Sequence, residues 1–169
     1  MSRATPGRVH KPTNAEIRAE GEKHVVAELQ RRGFHHTLTP DGRRNDVSVG
    51  STEHPITVHV RVTSQGQRRG WLVTDDLERQ TSDSLVYAFV DRKPVPPETF
   101  LIPARVVSEA LQKSHAAWLA NPGRHGQPHT DSPMRMVRWD YGIPVEGFPA
   151  GWLEDYRERW DLLGTTSDQ

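Results

Sequence analysis

The chain has no cysteine. That excludes disulfides, thiolate nucleophiles and Cys-ligated zinc, and it suits a reducing, cytoplasmic setting. It has no long apolar run either. No stretch approaches the roughly 18 apolar residues that cross a bilayer, so no membrane partner is expected. The opening MSRATPGRVHKP has no apolar segment behind its basic residues, which is not the pattern of a secretory signal. There is no phosphate-cradling glycine loop and no G-x-S-x-G. None of the nine histidines stands at zinc-type spacing with a carboxylate. The stretch RHGQPH, with His125 and His129, reads as a polar loop, and His35-His36 carries no metal pattern.

What is present suits one domain of ordinary size. The chain has 169 residues and a hydrophobic fraction of 34%, enough for one modest core if its ends and loops are polar. Net charge is zero, but its distribution is uneven. Residues 1–70 hold 12 Lys and Arg against 7 Asp and Glu, whereas residues 71–169 hold 10 against 15. A basic first half is compatible with a polyanionic partner on one side of the molecule.

Local signals divide the chain. Residues 1–12 read as a flexible basic lead, 13–163 as a single domain and 164–169 as a tail. Thr13-x-x-Glu16 has the form of a capping box, and a helix is expected from there to about Arg32, closed by Gly33. Ile17, Val25, Val26 and Leu29 supply its apolar stripe. Gly21 lies in mid-helix, where glycine is unfavourable, and close packing against another element would explain it. The segment HHTLTPDGRRNDVSVG reads as strand, turn, strand, with Pro40, Asp41 and Gly42 as the turn. In the second of these strands Val47 and Val49 face one side, and Asp46 and Ser48 the other. A strand over ITVHVRVT follows, then the loop SQGQRRG. Short strands are expected at WLVT, LVYAFV and FLIP, with LVYAFV buried on both faces. A second helix follows at ARVVSEALQKSHAAWLA, then a loop over 121–133 and a strand in MRMVRWD. A terminal helix is expected over GWLEDYRERWDLLG, with Trp152, Leu153, Tyr156, Trp160 and Leu163 as its stripe. The order describes an α/β or α+β sandwich around a mixed sheet.

The chemistry-bearing residues cluster on two strands. His59 and Arg61 are two apart, so strand periodicity turns them the same way. Asp46 lies on the preceding strand, and Gly50–Pro55 is a suitable link for pairing the two. If they pair, a carboxylate, an imidazole and a guanidinium meet on one polar face, a trio suited to a divalent metal and a phosphate oxygen. The other reading of Thr57, His59, Arg61 and Thr63 is a solvated strand face. Arg43 and Arg44 precede Asp46, and Arg68 and Arg69 follow the His59 strand. All four are candidate phosphate contacts, with a solvated loop as the alternative. Trp71 reads as core rather than as a base-stacking platform.

Together these stretches resemble the PD-(D/E)xK nuclease superfamily, in particular small bacterial members. The resemblance rests on GEKHVVAELQRRGF, NDVSV, VHVRVTSQGQRRGW, LVYAFV and TFLIPARVV in that order, with a weaker echo in WLEDYRERWDLL. It covers about residues 13–118. It implies a restriction-endonuclease-like core, with a central mixed β-sheet flanked by helices. It also implies metal-dependent phosphodiester hydrolysis on DNA with Mg²⁺ or Mn²⁺. Carried over by position, Asp46 is the metal aspartate and Glu22 the helix glutamate. His59 stands where the family has a D/E residue or glutamine, and Arg61 where it has lysine. Asp46 and His59 would hold the metal, and Arg61 the scissile phosphate. The two departures matter. Histidine nitrogen suits Mn²⁺ better than Mg²⁺, and arginine is no base at neutral pH but clamps phosphate bidentately. The resemblance therefore also admits a catalytically inactive relative that binds nucleic acid or protein. A third reading is a structural or interaction protein that forms a homodimer or docks a protein partner through its aromatic C-terminal segment.

Overall fold

A computed structural model describes residues 10–41, 44–63 and 70–164. Helix α1 spans Asn14–Arg31. Its capping box is formed: the Thr13 hydroxyl accepts from the Glu16 amide, and the Glu16 carboxylate accepts from the Thr13 amide. Gly33, at φ 77°, leads the chain out of the helix. Val25 and Leu29 are fully buried. Gly21 answers its own puzzle. A Cβ there would lie 2.0 Å from Val62 Cγ2, so only glycine lets the helix approach the sheet.

Seven strands follow among the described residues: β1 (His36–Asp41), β2 (Arg44–Val49), β3 (Ile56–Thr63), β4 (Trp71–Thr74), β5 (Leu85–Asp91), β6 (Glu98–Pro103) and β7 (Met134–Val137). Five form one mixed sheet in the order β1-β2-β3-β5-β6. Neighbours are antiparallel except β3 and β5, which run parallel. A parallel pair needs a crossover, and its described part, residues 70–84, contains β4 and a 3-10 helix at Asp75–Arg79. Strand β4 pairs with β7 in a separate two-stranded ribbon. Helix α2 spans Ala104–Ala120.

The sheet is covered on both sides, as in an α/β protein. One face presents Val47, Val49, Val58, Val60 and Val86 to Val25 and Leu29 of α1. The other presents Tyr87, Phe89, Phe100 and Ile102 to Val107 and Leu111 of α2 and to Trp71 and Val73 of the ribbon. Strand β5 is buried along its whole length, as its apolar sequence led one to expect. Trp71 is core: it is 2% exposed, and its indole donates to the Val90 carbonyl.

Two expectations are corrected. Pro40 and Asp41 belong to β1, not to the turn. β1 is an edge strand, where proline's missing donor is tolerated. The expected C-terminal helix is absent. The segment forms two short 3-10 helices, Trp152–Tyr156 and Trp160–Leu163, separated by Glu158 at φ 52°. The reason is topological. Trp152 and Leu153 fill the core beneath α2, whereas Trp160 and Leu163 fill the core beneath α1. One straight helix cannot reach both faces of a sheet. The chain turns around the β6 edge instead, where Arg157 bridges Phe100 and the Glu158 amide donates to the Thr99 carbonyl. The same turn covers that edge, which would otherwise expose unpaired backbone.

Candidate functional site

The β2–β3 register pairs Val47 with Val58 and Ser48 with Thr57. One step further along, it sets Asp46 across from His59. Alternation then puts both side chains on the face opposite the valines. The contact is direct, with His59 Nε2 3.1 Å from Asp46 Oδ1. Both side chains are part-exposed, at 26% and 29%, so the pair is open to solvent and to a ligand.

Strand β5 completes the arrangement from below. Its parallel register places Tyr87 beside His59 and Phe89 beside Arg61. Tyr87 is 1% exposed. The His59 ring meets it edge-on at 5.8 Å, and the Arg61 guanidinium carbon lies 5.5 Å from the Tyr87 ring centroid. Arg61 also donates to the Val60 carbonyl at 3.2 Å. A buried aromatic ring thus underlies both basic side chains, restricting their rotamers and adding a cation–π contact for Arg61. A cleft of about 270 Å³ opens here. It is lined by Asp46, His59, Arg61 and Tyr87, with Asp41 from β1 and Asp76 from the 3-10 helix of the crossover.

The convergence of Asp46, His59 and Arg61 is what the alternation of the two strands led one to expect. Tyr87 and Asp76 carry no site expectation from the sequence, and Asp41 is expected only as a turn residue. Tyr87 carried one signal, as the sole hydroxyl-bearing residue in LVYAFV. Asp76 carried none, because the crossover path alone brings it to the cleft. Glu22 is not among the lining residues. Its carboxylate accepts from the Asn45 amide at 3.3 Å and from the Asn45 side chain at 2.9 Å. Asn45 itself lines the cleft, so Glu22 stands one hydrogen-bonded residue behind it and fastens α1 to β2. Arg43, Arg68 and Arg69 lie outside the described residues, and Arg44 is described only as part of the β2 backbone.

The donor set bears on a metal. Two donors bound at about 2.1 Å to one octahedral ion sit about 3 Å apart, so the Asp46–His59 separation fits a shared ion. It equally fits a direct ion pair. Among the described residues no group of three or more His, Asp or Glu side chains is placed to hold a metal. Any ion here would take its remaining ligands from water and substrate. Among the described residues no helix is long and apolar enough to cross a membrane.

Comparison with protein-family models, with curated proteins and with solved structures finds no match.

Proposed function

We propose that the chain is a PD-(D/E)xK-like protein that acts on DNA as a phosphodiester hydrolase with an altered metal site. The observation that carries this reading is the convergence of Asp46, His59 and Arg61 in one cleft on one face of the sheet. The order of elements supports it too: a capped helix, an antiparallel β1–β3 meander and a parallel β5 suit a restriction-endonuclease-like core.

In this reading Asp46 and His59 hold a divalent ion, with Mn²⁺ favoured over Mg²⁺ because one donor is nitrogen. Such an ion polarises the phosphoryl oxygen and lowers the pKa of its bound water. Arg61 clamps the scissile phosphate through paired N–H donors. Tyr87 keeps the guanidinium over the cleft. Arg61 takes no proton, so no general base is assigned to that position.

A second reading is favoured by one observation. Asp46 and His59 satisfy each other directly, and no third protein ligand joins them among the described residues. In this reading the cleft binds DNA phosphate without cleaving it.

The test is nicking of supercoiled plasmid at low salt across a metal panel. The proposal expects nicking with Mn²⁺ that Asp46→Ala abolishes. Salt-sensitive gel retardation without nicking would move the assignment to the binding reading. Neither nicking nor retardation sinks both.

A further inference from the structure

A second pocket lies apart from the cleft and shares no lining residue with it. It arises because the β4–β7 ribbon is covered on one face only. Trp71, Val73 and Val137 turn inward to the core. Alternation sends Leu72, Met134 and Met136 outward, and Leu72 pairs directly with Met136. Leu72 is 63% exposed and Met134 41%. Trp118 of α2 and Ile143 beyond β7 wall the same space, which measures about 270 Å³. Such a volume is near the lower end for small-molecule sites of roughly 300–1,000 Å³. Trp118 is already held, since its ring stacks on His129 at 4.0 Å. Methionine walls adapt to the shape of an occupant.

The charge of the pocket is one-sided. His115 is paired with Asp131 at 2.8 Å, and Arg135 is paired with Glu78. Arg138 also lines the pocket, yet it forms no ion pair among the described residues. An apolar slot is therefore lined by one guanidinium that has no ion pair among the described residues.

We propose that this pocket binds a small planar aromatic carboxylate. Its ring would lie against Leu72, Met134, Met136 and Trp118, and its carboxylate would meet Arg138 in a charge-assisted pair. A free aliphatic side chain of a partner would satisfy the walls but not the arginine.

The chain has three methionines, and two of them line the pocket. Protein labelled with ¹³C at the methionine methyls, titrated with 2-naphthoate, therefore reports the site directly. The expected result is saturable shifts of Met134 and Met136 while Met1 stays unmoved. Arg138→Gln should weaken 2-naphthoate about tenfold or more, as loss of a charged hydrogen bond does. It should leave the neutral 2-naphthamide nearly unchanged. Leu72→Asp should abolish binding of both. Absence of shifts in the wild-type protein, or equal affinity in Arg138→Gln, overturns the proposal. So do methyl shifts that follow protein concentration without added ligand, because a second copy would then be the occupant.

Discussion

Gly21 and Thr99 make opposite predictions about small changes in buried places. At Gly21 a methyl group has nowhere to go, since Val62 already occupies the space. Gly21→Ala should lose roughly 1–3 kcal/mol by overpacking, despite alanine's better helix propensity. Adding Val62→Ala should recover part of that loss in urea unfolding, and strict additivity of the two changes would refute the contact. Thr99 is fully buried, and its hydroxyl has no hydrogen-bond partner among the described residues. Its backbone amide and carbonyl are both engaged by Glu158. Thr99→Val keeps the shape and removes the unpaired hydroxyl, so stability should rise by up to about 1 kcal/mol. A fall in the denaturation midpoint would contradict this account. The candidate site was partly legible at this scale. Period-two alternation put His59 and Arg61 together, and a short link put Asp46 nearby. Tyr87 was out of reach, because its position depends on a parallel register that no local pattern encodes.

Among the elements, α1 was the most legible. Its cap and terminating glycine are local features and both formed, and of its expected stripe Val25 and Leu29 are buried whereas Ile17 and Val26 are half-buried. Its C-terminal turn carries a pH-sensitive attachment. Hydrogen bonding from Arg31, with added attraction from Arg31 and Arg32, holds the Glu28 carboxyl below its ordinary value of 4.5. A carboxyl lowered in the folded state stabilises above its unfolded pKa, and that contribution is lost as pH falls through the folded value. Glu28→Gln should therefore reduce stability at neutral pH by at most about 1 kcal/mol, as for other surface pairs. It should also flatten the acid limb of the stability curve below about pH 4.5. An unchanged acid limb would show that the pair contributes nothing. The C-terminal segment was the least legible element. WLEDYRERWDLL has helical spacing, but its aromatic residues serve two cores on opposite faces of the sheet. Tertiary demand overrode the local period.

For the whole molecule, the uneven charge becomes a statement about binding. In the proposed reading, DNA affinity should fall linearly with the logarithm of salt concentration, and Arg61→Ala should reduce the slope by about 0.9 for one lost phosphate contact. An unchanged slope with weaker binding would place Arg61 off the phosphate path. The sequence by itself determined the two α-helices, most strand positions, the central buried strand and the shared facing of His59 and Arg61. These follow from periodicity, capping and turn chemistry, which act within a few residues. Tertiary structure alone decided that β3 and β5 are parallel neighbours, that Tyr87 underlies the basic pair, that Asp41 and Asp76 reach the cleft, that Glu22 is engaged by Asn45, and that the chain's end wraps an edge. Those outcomes depend on packing between residues tens of positions apart, where no local rule acts.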